Sequence, residues 1–249
     1  MKEAQDHFSQ ASESYRTFRP EYPQELYNWI LEYCLIRNSA WDCATGNGQV
    51  AKVIAQYFDQ VIASDISRQQ LQHAHQANNI FYLQGRSEQT HFLDSSFDLI
   101  TVAQAIHWFD HTAFNKEINR VLKPEGNLAI WGYHLLRINP KVDAILDHFY
   151  HEIVGPYWAD ERKHVDLRYE SISIDMPLLH SRDDMSIEVE WNRSQFFGYL
   201  STWSASKTFA VERNKNPVIE IQSQVEEIWK AEEILTVQFP LFAKLYRKI

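Results

Sequence analysis

The stretch that decides the fold is WDCATGNGQ, residues 41–49. Its first residues are typical of a short buried strand, and Gly46 and Gly48 allow the backbone to turn sharply. Between residues 50 and 58, apolar side chains recur at helical spacing, so an amphipathic helix is predicted directly after the turn. A strand, a glycine-rich turn and a helix in this order predict the first unit of an α/β fold.

The same alternation of strand and helix continues along the chain. Further strands are predicted at residues 61–64, 80–83, 97–102, 127–131, 186–191 and 233–239. Helical patterns follow the strands predicted at 41–44, 61–64, 97–102 and 127–131. We therefore predict an α/β fold with a doubly wound, mostly parallel, seven-stranded sheet.

The composition argues against several classes of partner. The formal net charge is −9 and no basic run compensates for it, which argues against a nucleic-acid partner. No run of about 18 apolar residues is present and no apolar stretch follows Met1, so we expect a soluble, cytoplasmic protein without a membrane partner. A monomer and a homodimer both remain open.

The cysteines and histidines predict no metal site. Cys34 and Cys43 fall on separate predicted elements, and two isolated thiols form neither a disulfide framework nor a zinc site. Among the eleven histidines, His148 and His151 have a spacing at which two side chains can meet, but no neighbouring ligands complete a set. We expect these two histidines to be surface residues.

The turn after the first strand is a candidate ligand site. Asp65 ends the next strand, 19 positions after Gly46, where a carboxylate can bind ribose hydroxyls. A pyrophosphate fits poorly, because Ala51 replaces the third glycine of a dinucleotide fingerprint and Asp42 would repel phosphate. S-adenosylmethionine carries ribose hydroxyls, an ammonium and a sulfonium but no phosphate. An ordinary strand-to-helix turn without a ligand is the alternative.

Several segments in the right order resemble class I S-adenosylmethionine-dependent methyltransferases. They are WDCATGNGQ at 41–49, Asp65, GRSE at 85–88, FDLIT at 97–101 with QAIHWF at 104–109, and RVLKPEG at 120–126. The resemblance extends from about residue 15 to residue 135. It implies a Rossmann-like fold, S-adenosylmethionine as the cofactor and methyl transfer as the reaction.

A narrower resemblance involves segments outside the core. YRTFRPEYP at 15–23, HWF at 107–109 and TWS at 202–204 are together similar to the branch of trans-aconitate methyltransferase-like enzymes. That branch includes proteins that methylate carboxylates of small organic acids, which implies a small-molecule acceptor. The loop departs from the commoner version at Ala44, where a glycine is usual.

The resemblance also implies an organisation of the chain. We expect a single methyltransferase domain over residues 1–249, with an N-terminal lid segment at 1–23 and a cofactor-binding core at 39–135. Residues 136–184 are expected to form an inserted cap region on the substrate side, and residues 185–249 to complete the sheet.

The cofactor contacts that the resemblance implies fall on several segments. Gly46 and Gly48 would lie against the methionine part, Asp42 would hold its ammonium directly or through water, and Asp65 would bind the ribose. The remaining expected contacts are Tyr15, Arg19, Ala44, Ile66, Ser87, Glu88 and Gln104. Asp65 could instead be only a charge at a helix N-terminus, and Ser87 and Glu88 could be solvated loop residues.

The acceptor side is expected to contain His107 and Arg19 as catalytic candidates. A histidine has a pKa near neutrality and can act as a base or orient an oxygen, although a carboxylate acceptor needs no base. Arg19 can bind a carboxylate through two parallel hydrogen bonds, or could merely pair with a surface acid. The expected acceptor wall consists of Tyr22, His107, Trp108, Trp158 and Trp203, with Arg162 as a further candidate.

Three other functions compete with this interpretation. A non-catalytic S-adenosylmethionine-binding protein would carry the same loop. An NAD-dependent dehydrogenase shares the fold, but Ala51 and Asp42 argue against it. Methylation of a nucleic acid or a protein is disfavoured by the negative net charge.

Overall fold

The computed structural model describes residues 20–249, and Tyr15 and Arg19 lie outside the described residues. The strands are β1 (Ser39–Cys43), β2 (Gln60–Asp65), β3 (Ile80–Gln84), β4 (Phe97–Ala103), β5 (Leu122–Tyr133), β6 (Leu178–Arg182), β7 (Ser186–Trp191) and β8 (Leu235–Arg247). The α-helices are α1 (Gln24–Glu32), α2 (Gln49–Ile54), α3 (Arg68–Gln72), α4 (His111–Val121), α5 (Pro140–His148), α6 (Arg162–Asp166), α7 (Arg193–Ser201), α8 (Ser204–Arg213) and α9 (Ile219–Ile228).

The strands form one sheet in the order β3-β2-β1-β4-β5-β8-β6, and β7 also pairs with β8. The first five strands are parallel, whereas β8 runs antiparallel to β5. The predicted α/β fold with a mostly parallel sheet is therefore confirmed. Since the carboxyl ends of β1, β2, β4 and β5 lie at the same edge, the residues that follow these strands are brought together.

The sheet has eight strands among the described residues, not the predicted seven. β6 and β7 lie end to end along one edge of β8: Arg182 pairs with Ala243 and Ser186 with Pro240. The backbone leaves the sheet between Arg182 and Ser186, so one strand position is occupied by two short strands. β6 lies within residues 154–184, where the sequence shows no regular pattern, because its side chains are mostly exposed and lack a clear apolar alternation.

The core has one layer on each face of the sheet. Along β5, Leu128 and Ile130 are buried with α4 on one face, whereas Ala129 and Trp131 are buried with α1 and α2 on the other. Successive side chains of a strand point to opposite faces, so a strand covered on both faces is apolar throughout. The sheet is thus doubly wound, as predicted.

The region between β5 and β6 is largely helical. After α5 come a π-helical turn at Phe149–Ile153, a 3₁₀ turn at Gly155–Tyr157 and the short helix α6. The π-helical turn widens the backbone before Trp158, and such turns are frequent at functional sites. Within residues 20–249, no helix combines the length and the apolar character needed to cross a bilayer.

Candidate functional site

A cavity of about 860 Å³ opens at the carboxyl ends of the parallel strands. It is bordered by the residues that follow β1, by the end of β2, by the loop after β3 and by the end of β4. A volume in this range suits a ligand of several hundred daltons. The topology alone places it there, since ligands of open α/β sheets bind outside the carboxyl ends of the strands.

The loop after β1 depends on three residues with left-handed backbone conformation. Gly46 and Gly48 have φ angles of +57° and +82°, and Ala44 has a φ of +56°. A Cβ atom at Gly48 would lie 2.3 Å from the Tyr82 hydroxyl oxygen, whereas one at Gly46 would meet no atom within 4 Å. The open space at Gly46 leaves the backbone accessible to a ligand. At Ala44 the left-handed conformation costs about 1–2 kcal/mol, which explains why a glycine is usual there.

Asp42 is buried beneath this loop, with 1 % of its surface exposed. Its carboxylate accepts hydrogen bonds from the hydroxyl groups of Thr45 and Thr101 and from the backbone amide of Ala51. Burial penalises the charged form and raises the pKa of Asp42 to about 6, although these hydrogen bonds oppose the shift. The side chain therefore ties β1, β4 and the first turn of α2 together directly behind the glycine loop.

Asp65 joins the end of β2 to the same loop. One carboxylate oxygen accepts a hydrogen bond of 2.8 Å from the Gly46 amide, and the other accepts one of 2.8 Å from the Ser67 amide. A carboxylate oxygen has two acceptor positions, so it can accept hydrogen bonds from more than one donor at once. The residue lines the cavity, and two hydroxyls of a ribose fit this pair of oxygens.

The loop after β3 forms the next part of the wall. Ser87 is buried, and the Glu88 side chain accepts a hydrogen bond of 3.1 Å from the amide of Asp110, the N-cap residue of α4. Glu88 thus belongs to the framework of the site and is not only a solvated loop residue. Ile66 presents a 36 % exposed side chain to the cavity from the neighbouring segment. An exposed apolar side chain beside polar groups suits an adenine ring.

Gln104 marks the inner end of the cavity, directly after β4. Its φ angle is +52°, and its side-chain oxygen accepts a hydrogen bond of 2.9 Å from the Tyr133 amide at the end of β5. Its amide nitrogen lies 3.4 Å from the Tyr133 carbonyl oxygen. The side chain therefore bridges two neighbouring strands and fixes the wall of the cavity.

A smaller cavity of about 60 Å³ adjoins this inner end. Four residues line both cavities, namely Gln104, Trp108, Tyr133 and Ala159. The rest of the small cavity is formed by His107, His134, Leu135, Trp158, Arg162, Tyr199, Trp203 and Ser204. Trp158 and Trp203 pack with ring centroids 5.5 Å apart and form an aromatic wall of the small cavity.

His107 differs from the expected near-neutral base. Its Nδ1 atom lies 3.2 Å from the Tyr169 hydroxyl oxygen, and 7 % of its surface is exposed. Burial, followed by the positive charge of Arg162, lowers the pKa of His107 to about 3. The expectation of a pKa close to neutrality is therefore wrong, because a buried imidazole loses the solvation of its charged form.

The structure brings together every predicted site residue that it describes. Tyr22, Asp42, Ala44, Gly46, Gly48, Asp65, Ile66, Ser87, Glu88, Gln104 and Trp108 line the large cavity, and His107, Trp158 and Trp203 line the small one. Sequence reasoning missed Tyr133, His134 and Tyr199. The position of Tyr133 at the end of a predicted parallel strand is a signal that would have found it, whereas Tyr199 on α7 gives none.

Comparisons with known proteins agree with this geometry. The family model described as a methyltransferase domain matches residues 41–130. A protein of Dictyostelium discoideum whose name assigns it to the methyltransferases is 34 % identical over 98 % of this chain and 95 % of its own length. A protein of Saccharomyces cerevisiae, named as an S-adenosylmethionine-dependent methyltransferase, is 23 % identical over 95 % of each chain.

A solved structure gives the same result. A protein of Anaeromyxobacter dehalogenans described as a type II methyltransferase superposes with a TM-score of 0.84 at 33 % identity. The match covers 92 % of this chain and 98 % of that one. The chain therefore belongs to the methyltransferase family and is an enzyme that uses S-adenosylmethionine as its methyl donor.

Proposed function

We propose that the enzyme methylates a carboxylate oxygen of a small organic acid, as in the trans-aconitate methyltransferase-like branch. The observation that carries this proposal is the burial of His107, whose Nδ1 atom lies 3.2 Å from the Tyr169 hydroxyl oxygen and whose pKa is lowered to about 3 by that burial. An alcohol or a phenol must lose a proton to become a strong nucleophile, and general bases work best with a pKa near the operating pH. A carboxylic acid is already ionised near neutrality.

The cofactor contacts follow from the walls of the large cavity. Asp65 would accept hydrogen bonds from the ribose hydroxyls, Ile66 would lie against the adenine with Ser87 and Glu88 at its edge, and the backbone near Gly46 would hold the methionine part, since all of these residues line the cavity. Asp42 is too deeply buried for broad contact with a ligand, so we expect it to act on the ammonium through a bridging water.

Gln104 and Trp108 lie where the two cavities adjoin, which we infer to be the place of methyl transfer. When bound, S-adenosylmethionine supplies an electrophilic methyl carbon: a carboxylate lone pair forms the new O–C bond, the C–S electron pair returns to sulfur, and a neutral ester and a neutral thioether result. No proton has to move. The chain contributes orientation and exclusion of water, and orientation alone can lower a barrier by several kcal/mol.

The acceptor is proposed to be a small molecule and not a nucleic acid. The small cavity holds about 60 Å³ and is walled by aromatic side chains, and the net charge of the chain is −9. Binding to a phosphate backbone comes largely from lysine and arginine. A chain with this net charge attracts a phosphate backbone only weakly.

Labelled methyl transfer tests the proposal. The enzyme is incubated with S-adenosylmethionine that carries a radioactive methyl group and with small organic acids, each paired with the alcohol of the same skeleton. We expect label in the acids and its release as methanol by mild alkali, because esters hydrolyse under conditions that leave ethers intact. Transfer to phenols, amines or alcohols without transfer to acids would overturn the carboxylate assignment.

A further inference from the structure

Arg162 occupies an unusual position for a cation. It begins α6, and its guanidinium carbon lies 4.8 Å from the centre of the Trp158 ring and 5.3 Å from that of Tyr150. Its side chain is 21 % exposed and lines the small cavity. Aromatic faces stabilise a guanidinium and hold its plane. The side chain is thus fixed before any acceptor binds.

One edge of this guanidinium is occupied. Nε donates a hydrogen bond of 2.7 Å to the Tyr150 hydroxyl and lies 3.4 Å from an Asp166 carboxylate oxygen. The Tyr150 hydroxyl in turn donates to Asp166 over 2.7 Å. Within residues 20–249, no hydrogen bond from Nη1 or Nη2 is formed. Two parallel donors therefore remain at the free end of a rigid side chain.

His134 adds a second unsatisfied group to the same cavity. Its Nε2 atom is buried and has no hydrogen-bond partner in the part of the chain from Pro20 to Ile249. The ring packs on Phe242 with centroids 4.9 Å apart, so it cannot turn freely toward solvent. Buried polar atoms without a partner are rare and call for an explanation such as a ligand.

The charged side chain that lines the small cavity is a cation, although the chain as a whole is acidic. None of its twelve described lining residues is acidic, and Arg162 is the cation among them. The whole chain carries a formal net charge of −9. The guanidinium pairs with Asp166 through Nε, and its Nη1 and Nη2 donors, partly desolvated by tryptophan and tyrosine rings, attract an anion more strongly than they would in water.

We propose that Arg162 and His134 form the subsite for the acceptor carboxylate, with Arg162 binding both oxygens and His134 donating from Nε2. This inference rests on the proposed function and adds the residues that select the acceptor. A planar carboxylate matches the two Nη donors, and each of its oxygens keeps a lone pair free. Those lone pairs are available toward Gln104 and Trp108, where the large cavity begins.

Replacement of Arg162 tests the proposal with the wild-type enzyme and an acid that it methylates. Arg162→Met keeps an apolar stem between the rings and removes the charge, and we expect KM for the acid to rise by about ten- to a hundredfold. Arg162→Lys keeps the positive charge but lacks the two parallel Nη donors of a guanidinium. Its KM for the acid should therefore lie between that of the wild type and that of Arg162→Met. The dissociation constant of S-adenosylmethionine should change by less than about threefold in both variants, which also shows that they fold.

Arg213→Met is the matched control. Arg213 also donates from Nε to a tyrosine hydroxyl, that of Tyr157 at 2.8 Å, but it does not line either cavity. We expect its kinetic constants to match those of the wild type. Methylguanidinium added to Arg162→Ala should restore part of the activity toward the acid, which a purely structural role of Arg162 would not allow.

His134 is tested by a pair of variants. His134→Gln keeps an N–H donor and should retain most of the affinity for the acid, whereas His134→Phe keeps the ring packing and should raise KM by about tenfold. If the wild type methylates acids but Arg162→Met raises KM no more than Arg213→Met does, the subsite is wrong and the proposed function stands. If the wild type methylates no acid, the proposed function itself is wrong, and the subsite falls with it.

Discussion

The Asp65 carboxylate accepts a hydrogen bond of 2.8 Å from the backbone amide of Gly46 and so joins the end of β2 to the loop after β1. The two residues are 19 positions apart in sequence. Because β1 and β2 are paired in parallel, with Cys43 opposite Ser64, their carboxyl ends are neighbours. One side chain therefore supports the loop and faces the cavity at the same time.

We expect Asp65→Asn to weaken S-adenosylmethionine binding. The amide retains one acceptor oxygen, but its NH₂ group must face either the Gly46 amide or the Ser67 amide, both of which are donors. The dissociation constant measured by calorimetry should rise about ten- to a hundredfold, or by about 1.4–2.8 kcal/mol.

The matched control for this variant is Asp59→Asn. Asp59 is exposed and precedes the other end of β2, far from the carboxyl edge of the sheet. The dissociation constant of S-adenosylmethionine for Asp59→Asn should equal that of the wild type. Equal affinities of Asp65→Asn and Asp59→Asn would remove Asp65 from the cofactor site.

Gly48→Ala should destabilise the fold more than other glycine replacements in the site. Its Cβ would lie 2.3 Å from the Tyr82 hydroxyl oxygen, and its φ of +82° disfavours any side chain. We expect a loss of about 2–4 kcal/mol in the free energy of unfolding, measured by urea denaturation. At Gly85, where a Cβ would meet no atom within 4 Å and φ is not left-handed, replacement by alanine should change stability by less than about 0.5 kcal/mol. Similar losses at both positions would refute the steric argument.

The fold and the cofactor half of the site were predictable because the residues that indicate them lie close together in the sequence. A glycine turn after a strand and an acid at the end of the next strand identify Gly46, Gly48 and Asp65 from a window of 25 residues, 41–65. The parallel sheet then forces these positions to one edge. Predictions of this kind need no knowledge of side-chain packing.

The acceptor half was less predictable because distant segments build it. Tyr199 comes from α7 and reaches the small cavity only through packing of the helices after β5, whereas His134 directly follows β5 and is placed at the carboxyl edge by the sheet itself. The pKa of His107 depends on burial and on Arg162, which is 55 positions away in sequence. No periodicity or spacing encodes such contacts.

Asp42 should make stability depend on pH in a way that Asp42→Asn abolishes. Its folded-state pKa of about 6 lies above the ordinary aspartate pKa of 3.8, so the folded state binds more protons between these values and stability falls as pH rises through this window. Between pH 4 and pH 7 the wild type should lose about 2 kcal/mol of unfolding free energy relative to Asp42→Asn. Urea denaturation at each pH gives the difference curve.

Only the change with pH in the difference between the unfolding free energies of the wild type and Asp42→Asn reports on the ionisation of Asp42. The asparagine forfeits some of the hydrogen bonds to Thr45, Thr101 and Ala51, but this loss is independent of pH and only offsets the two curves. Parallel curves for wild type and variant would mean that the carboxylate is not destabilised by burial.

The pH dependence of catalysis should show no contribution from His107. Since its pKa is lowered to about 3, the imidazole is neutral throughout the range from pH 5 to pH 8, and kcat/KM for a carboxylate acceptor should not rise with its titration. His107→Gln should therefore lower kcat/KM by less than about tenfold, because the removal of a general base costs about 10²–10⁴-fold.

An inflection near pH 6 in the profile of kcat/KM that is caused by Asp42 would occur in both the wild type and His107→Gln. It can therefore be told apart from an inflection caused by His107. An inflection in the wild type that disappears in His107→Gln, together with a loss of activity above a hundredfold, would restore His107 as a base and remove the main argument for an acceptor that is already ionised.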